Sequence, residues 1–110
     1  MDLEISIIEE GDKSKVILAG EIDAYTAPQL KEKLLPLTKV AGHTAEVNLE
    51  QVNYMDSTGL GVFISALKST KENDSQLKLI DLQDRVFRLF KITGLIDIMD
   101  IKAAIRGGSE

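Results

Sequence analysis

The chain has 110 residues, a formal net charge of −5 and no cysteine. A chain of this length fits one domain with its own apolar core, and the lack of cysteine excludes disulfides, thiolate metal sites and thiol nucleophiles. His43 is the sole histidine, which disfavours a multi-histidine metal site and Ser-His-Asp chemistry. The acidic balance disfavours direct DNA binding and favours a partner with a basic surface.

The first part of the chain predicts a β-hairpin followed by a helix. Apolar and polar residues alternate over residues 3–7, which indicates a half-buried strand, and Gly11 begins a turn into a second strand that ends at Gly20. Thr26 stands where a helix N-cap is expected, with Pro28 in the first turn. Apolar residues then recur at helical spacing: Ala27, Leu30, Leu34 and Leu37.

Two strand and helix pairs follow this helix. Residues 46–49 predict a strand, and the residues after it predict a helix with one apolar face, made of Leu60, Phe63, Ile64 and Leu67. Residues 76–81 predict another strand, and residues 84–91 a helix. Gly94 follows that helix where a glycine C-cap is expected.

The C-terminal end predicts a short strand over residues 96–98 and a helix over residues 100–106 that stops at Gly107. Strands that alternate with helices predict an α/β fold with parallel neighbouring strands. The strands alternate in polarity too clearly to be buried on both sides. We therefore expect a mixed four- to five-stranded sheet with about four helices mainly on one face.

The composition is even along the chain, which predicts one domain over residues 1–106 and a flexible C-terminal tail over residues 107–110. No apolar run approaches the roughly 20 residues that cross a bilayer. We expect a cytoplasmic protein without membrane contact.

The most unusual segment, residues 54–62, lies at a predicted strand-to-helix junction, where open α/β sheets place their sites. One interpretation is an ordinary helix start, with Asp56 or Ser57 as the N-cap. However, Gly59 and Gly61 each cost up to about 1 kcal/mol relative to alanine in a helix. Either tight packing or an incoming partner would explain them. The positive end of the helix dipole would also tolerate a phosphoryl group on Ser57.

Enzymatic interpretations of this segment meet specific obstacles. A nucleophile elbow around Ser57 would need glycine where Met55 stands, and a phosphate-binding loop would need lysine where Val62 stands. A phospho-aspartate site could use Asp23 and Asp56 for Mg²⁺, but an early aspartate pair and a suitably placed lysine are missing. A small enzyme that uses Asp23, Asp56 and Ser57 would lack a catalytic base and a cofactor motif. We predict no enzymatic activity, no cofactor and no metal.

A second marked segment covers residues 20–26, where Glu21 and Asp23 leave a strand and precede a helix. A solvated acidic loop would explain these two carboxylates as well as a binding site would. Tyr25 and Tyr54 flank the two marked segments and are expected to line a small groove near Ser57. The lysines expected to form solvated faces are Lys13, Lys15, Lys31 and Lys33.

Three segments in order resemble the STAS domain of bacterial anti-sigma-factor antagonists. They are Gly-Glu-Ile-Asp at 20–23, Met-Asp-Ser-Thr-Gly-Leu-Gly-Val at 55–62, and Val-Phe-Arg-Leu-Phe at 86–90 leading to Thr-Gly-Leu at 93–95. The resemblance runs from about Leu3 to Ala104 and implies a single STAS-like domain.

The resemblance also implies a function and a set of site residues. Ser57 would be phosphorylated by a partner that is both an anti-sigma factor and a serine kinase, and a metal-dependent phosphatase of the PP2C type would reverse the modification. The unphosphorylated form would bind the anti-sigma factor and release sigma. The expected partner-binding residues are Glu21, Asp23, Asp56, Thr58, Gly59, Leu60 and Gly61. The alternative is a scaffold STAS domain in a larger signalling assembly without sigma control.

Overall fold

A computed structural model describes residues 2–104 of the chain. In chain order the elements are β1 (Leu3–Glu10), β2 (Lys13–Ile22), α1 (Ala27–Leu34), a 3-10 turn (Leu35–Thr38), β3 (Thr44–Met55), α2 (Ser57–Asn73), β4 (Gln76–Leu82), α3 (Asp84–Ile92), a second 3-10 turn (Leu95–Asp97) and β5 (Asp100–Ala103). The five strands form one sheet in the order β1-β2-β3-β4-β5. The predicted α/β fold is confirmed.

The sheet is mixed because its first pair is a hairpin and its other pairs are crossovers. β1 pairs antiparallel with β2, while β2 with β3, β3 with β4 and β4 with β5 are parallel. The three crossovers all step in the same direction along the sheet, and right-handed crossovers of that kind place their helices on one face. The predicted arrangement of the helices is therefore confirmed.

The core lies between that face of the sheet and the helices. In β3, Ala45, Val47 and Leu49 are fully buried, whereas the intervening Glu46 and Asn48 remain partly exposed. This alternation is typical of a strand that packs on one side only.

Two aromatic rings join α2 and α3 within this core. Phe63 and Phe90 are both fully buried, and their ring centroids lie 6.1 Å apart with the planes tilted by 59°. That separation is within the range of favourable aromatic pairs. It fixes α2, which carries the marked segment, against α3.

The C-terminal prediction is wrong in two elements. Residues 96–98 do not form a strand, because Leu95–Asp97 is a 3-10 turn, and the helix predicted over residues 100–106 is instead β5 as far as Ala103. Ile101 pairs with Leu79 of β4, and Asp100 and Lys102 point to solvent in alternation with it. The described residues thus contain three α-helices instead of about four.

The remainder of that predicted helix and the predicted tail over residues 107–110 lie outside the described residues. Gly94 has φ +79° directly after the last turn of α3, as predicted for a glycine C-cap. Within residues 2–104, no helix has the length and apolar character that a transmembrane segment needs.

Candidate functional site

The two marked segments meet at the carboxyl ends of β2 and β3. These strands are parallel neighbours, and their last pairs join Glu21 to Tyr54 and Ile22 to Met55. The Asp56 N–H also donates to the Ile22 carbonyl oxygen at 3.3 Å. Because both strands end at the same edge of the sheet, the loop after β2 lies beside the start of α2.

Gly20 allows β2 to pass close to the backbone of Asp2. Its φ is +128°, and a Cβ at this position would overlap the carbonyl oxygen of Asp2. The Glu21 N–H donates to that same oxygen at 3.0 Å. Glycine is therefore required where β2 passes the start of the chain.

Asp56 is the N-cap of α2. Its Oδ1 accepts hydrogen bonds from the Thr58 N–H at 2.9 Å and from the Gly59 N–H at 3.3 Å. Ser57 is the first residue of the helix, and its side chain and that of Thr58 are exposed. From the sequence, either Asp56 or Ser57 could be the N-cap of α2, and in the structure it is Asp56.

Removing this cap is expected to weaken the fold by a measurable amount. Asp56→Ala should lower the free energy of unfolding by about 1 kcal/mol, whereas Asp56→Asn, which keeps a capping oxygen, should leave it nearly unchanged. Urea denaturation followed by circular dichroism measures both. Equal destabilisation by the two substitutions would contradict the capping role.

Asp23 holds the start of α1 in a similar way. Its Oδ1 accepts from the N–H groups of Tyr25 at 2.9 Å and Thr26 at 3.0 Å, while Thr26 Oγ1 accepts from the Asp23 N–H at 2.9 Å. Thr26 occupies the predicted N-cap position, but its hydroxyl does not cap α1 and instead donates to the Glu21 carbonyl oxygen at 2.9 Å. Asp23 is only 8% exposed, so its carboxylate mainly shapes the loop.

An acidic cavity of about 410 Å³ opens between the two segments. Its lining combines three carboxylates with two aromatic rings: Glu21, Asp23, Ala24, Tyr25, Tyr54 and Asp56. Tyr25 is 86% exposed and stands at its edge. The predicted groove between the two tyrosines is confirmed, and its charge and aromatic faces suit a basic side chain.

A second opening, the Thr58 cleft, lies between α1 and α2. It has a volume of about 310 Å³ and is lined by Ala24, Ala27, Pro28, Lys31, Thr58, Gly61, Val62 and Ser65. Asp56 lines the acidic cavity and Thr58 lines this cleft, so the exposed Ser57 stands between the two. The sequence analysis did not single out this cleft, although Ala27 and Lys31 are spaced by one helical turn.

Gly59 and Gly61 of α2 differ in the space that surrounds them. A Cβ at Gly59 would lie 2.7 Å from both Ile22 Cγ2 and Met55 Cγ, so Gly59 lets α2 pack onto the strand ends. A Cβ at Gly61 would have no neighbour within 4 Å, because Gly61 faces the Thr58 cleft. Gly59 and Leu60 are buried, and they support the expected binding surface from beneath.

Over residues 2–104, the His, Asp and Glu side chains form no group of three or more that could hold a metal ion.

Comparison with known proteins identifies the family. The sequence model of the STAS domain matches residues 5–107. The anti-sigma-B factor antagonist of Listeria monocytogenes is 50% identical over 103 residues, which cover 93% of this chain and 90% of that protein. The chain belongs to the STAS domain family of anti-sigma-factor antagonists. The anti-sigma-B factor antagonist of Bacillus subtilis is 46% identical over 108 residues, 98% of each chain.

Solved structures of anti-sigma factor antagonists share the fold. An anti-sigma factor antagonist from Mycobacterium paratuberculosis superposes with a TM-score of 0.81 at 19% identity, covering 92% of this chain and 86% of that one. The antagonist SpoIIAA in its unphosphorylated form gives a TM-score of 0.71 at 15% identity, covering 94% and 90%. The STAS fold predicted from the three segments that carry the family resemblance is confirmed.

Proposed function

We propose that this chain is an anti-sigma-factor antagonist that is controlled by phosphorylation of Ser57. In its unphosphorylated form it binds an anti-sigma factor that is also a serine kinase, and it thereby releases the sigma factor. The observation that carries the proposal is the exposed Ser57 at the first residue of α2, between the acidic cavity and the Thr58 cleft.

The binding surface consists of the two openings and the serine between them. Glu21, Asp56, Thr58 and Gly61 contribute at the surface, while Asp23, Gly59 and Leu60 hold the surrounding backbone in place. A basic side chain of the anti-sigma factor would enter the acidic cavity, where carboxylates and tyrosine rings both attract a cation. The glycine at position 61 allows the partner to approach the backbone.

A phosphoryl group on Ser57 would add about −1.5 to −2 charge to this surface. Two N–H groups of the helix N-terminus, those of Thr58 and Gly59, already donate to Asp56 and would have to leave it to bind the phosphoryl group. In the free protein the added charge would stay in solvent. In a complex it would have to lose water beside the Asp56 carboxylate, which is costly for an unpaired charge.

In this scheme the chain is a binding module and the chemistry belongs to its partners. The anti-sigma factor transfers phosphate from ATP to Ser57, and a PP2C-type phosphatase removes it. In this scheme phosphorylation and dephosphorylation take place in the cytoplasm, and the chain contacts neither DNA nor membrane directly. Asp56 remains beside the reacting hydroxyl as the cap that orients the first turn of α2.

The experiment is to incubate the chain with its cognate anti-sigma factor and ATP and to locate the phosphate by mass spectrometry. We expect one phosphate on Ser57. Ser57→Ala should abolish the labelling, and Thr58→Ala, the matched neighbouring hydroxyl, should retain it. Labelling of another residue, with Ser57→Ala still a full substrate, would refute the assignment of the site.

A further inference from the structure

The Thr58 cleft continues along α2, away from Ser57. Its continuation is a shallow cleft of about 250 Å³ that also includes Ser65 and is lined further by Leu35, Lys39, Lys68, Ser69 and Glu72. Ser65 lines both clefts, so the two form one surface feature. We call it the α1–α2 groove.

The charge of the α1–α2 groove is opposite to that of the chain. Lys31, Lys39 and Lys68 line it together with a single carboxylate, Glu72, although the net charge of the chain is −5. All three lysines are exposed. The salt bridges within residues 2–104 do not involve them: they join Lys13 to Glu46, Lys15 to Glu10 and His43 to Glu9.

Gly61 points to a partner in this groove. Glycine is among the poorest helix formers, and nothing within 4 Å of a Cβ at this position would prevent a better one. The fold therefore does not require Gly61, in contrast to Gly59, whose Cβ would meet Ile22 and Met55. A missing side chain on the wall of an open groove leaves room for an incoming segment.

We propose that the α1–α2 groove binds an acidic segment of the anti-sigma factor. This rests on the proposed function and adds a second contact to it, with charges opposite to those of the acidic cavity. Lys68 lies about 16 Å along α2 from Ser57, beyond the screening length of about 8 Å at physiological salt. The end of the groove around Lys68 therefore adds affinity and orientation that the charge at Ser57 does not directly change, whereas Ser57 controls whether the complex forms.

The test compares two double variants with the same change in net charge. Lys39→Glu with Lys68→Glu reverses the groove, and Lys91→Glu with Lys102→Glu reverses two exposed lysines on α3 and β5. Calorimetric titration with the cognate anti-sigma factor should show about tenfold weaker binding for the groove variant at low salt and less than about twofold for the control. The difference should shrink at high salt.

Each other outcome has a definite meaning. Equal losses in the two double variants, or no loss in the groove variant, would overturn the groove contact. Sedimentation could instead show that the unmodified chain is a dimer and that the groove variant is a monomer with unchanged binding of the anti-sigma factor. In that case the groove binds a second copy of this chain, and the proposal is overturned.

The proposed function has its own control in the same titration. If Ser57→Asp weakens binding while the groove variant does not, the groove proposal fails alone. If the unmodified chain does not bind the anti-sigma factor, the proposed function and the groove proposal fail together.

Discussion

Ser57→Asp is expected to weaken binding of the anti-sigma factor about a hundredfold, while Ser57→Ala should bind within about threefold of the unmodified chain. The aspartate adds one negative charge beside Asp56 on a surface that loses water in the complex. Because the complex excludes water, the repulsion between the two carboxylates at about 6 Å rises from about 0.7 kcal/mol in water to about 2.8 kcal/mol at an effective dielectric constant near 20. Together with the lost hydration of the new charge, this increase corresponds to about a hundredfold in affinity. Calorimetric titration measures the three dissociation constants.

Ser57→Asn is the matched control, because asparagine has nearly the size of aspartate without its charge. It should lose clearly less affinity than Ser57→Asp. If the two variants bind equally weakly, size and not charge excludes the partner, and the electrostatic part of the mechanism is wrong. If Ser57→Asp binds as well as the unmodified chain, this edge of the sheet is not the contact surface.

Gly59→Ala and Gly61→Ala are expected to change stability in opposite directions. Gly59→Ala should lower the free energy of unfolding by about 1–3 kcal/mol, the usual range for overpacking. Its Cβ would meet Ile22 Cγ2 and Met55 Cγ at 2.7 Å, and Ile22 is a fully buried, β-branched residue with little room to move. Gly61→Ala should raise the free energy of unfolding by up to about 1 kcal/mol, because its Cβ has open space and alanine favours the helix.

Urea denaturation of the two variants side by side measures both changes. Because each replaces glycine by alanine in the same helix, intrinsic helix propensity affects them alike, and the difference reports on packing. Stabilisation by both would mean that Ile22 and Met55 yield to the new side chain. Destabilisation by Gly61→Ala would mean that the first turns of α2 need glycine at that position for the fold itself.

The first four strands and the three α-helices could be predicted because their patterns are local. Leu3 to Ile7 alternate with a period of two, and Leu60, Phe63, Ile64 and Leu67 recur with the period of a helix. The end of the chain could not be predicted in this way. Ile96, Ile98 and Ile101 fit more than one spacing, and the pairing of Ile101 with Leu79 of β4, far away in sequence, decides which segment becomes the strand.

The candidate site could be located from the sequence but not oriented. The expectation that Tyr25 and Tyr54 line one groove agrees with the structure, in which the paired ends of β2 and β3 bring the loop of Asp23 beside the start of α2. That the Asp23 carboxylate turns toward the Tyr25 and Thr26 N–H groups depends on hydrogen-bond geometry. Likewise, the α1–α2 groove gathers lysines from two helices and the turn between β3 and α1, which a linear pattern does not bring together.

One titration tests the central claim most directly. A single preparation of the unmodified chain is titrated with the anti-sigma factor before and after complete phosphorylation of Ser57, with the modification verified by mass spectrometry. The account predicts a dissociation constant that rises at least about a hundredfold on phosphorylation and returns to its first value after phosphatase treatment. Equal dissociation constants before and after phosphorylation would contradict it.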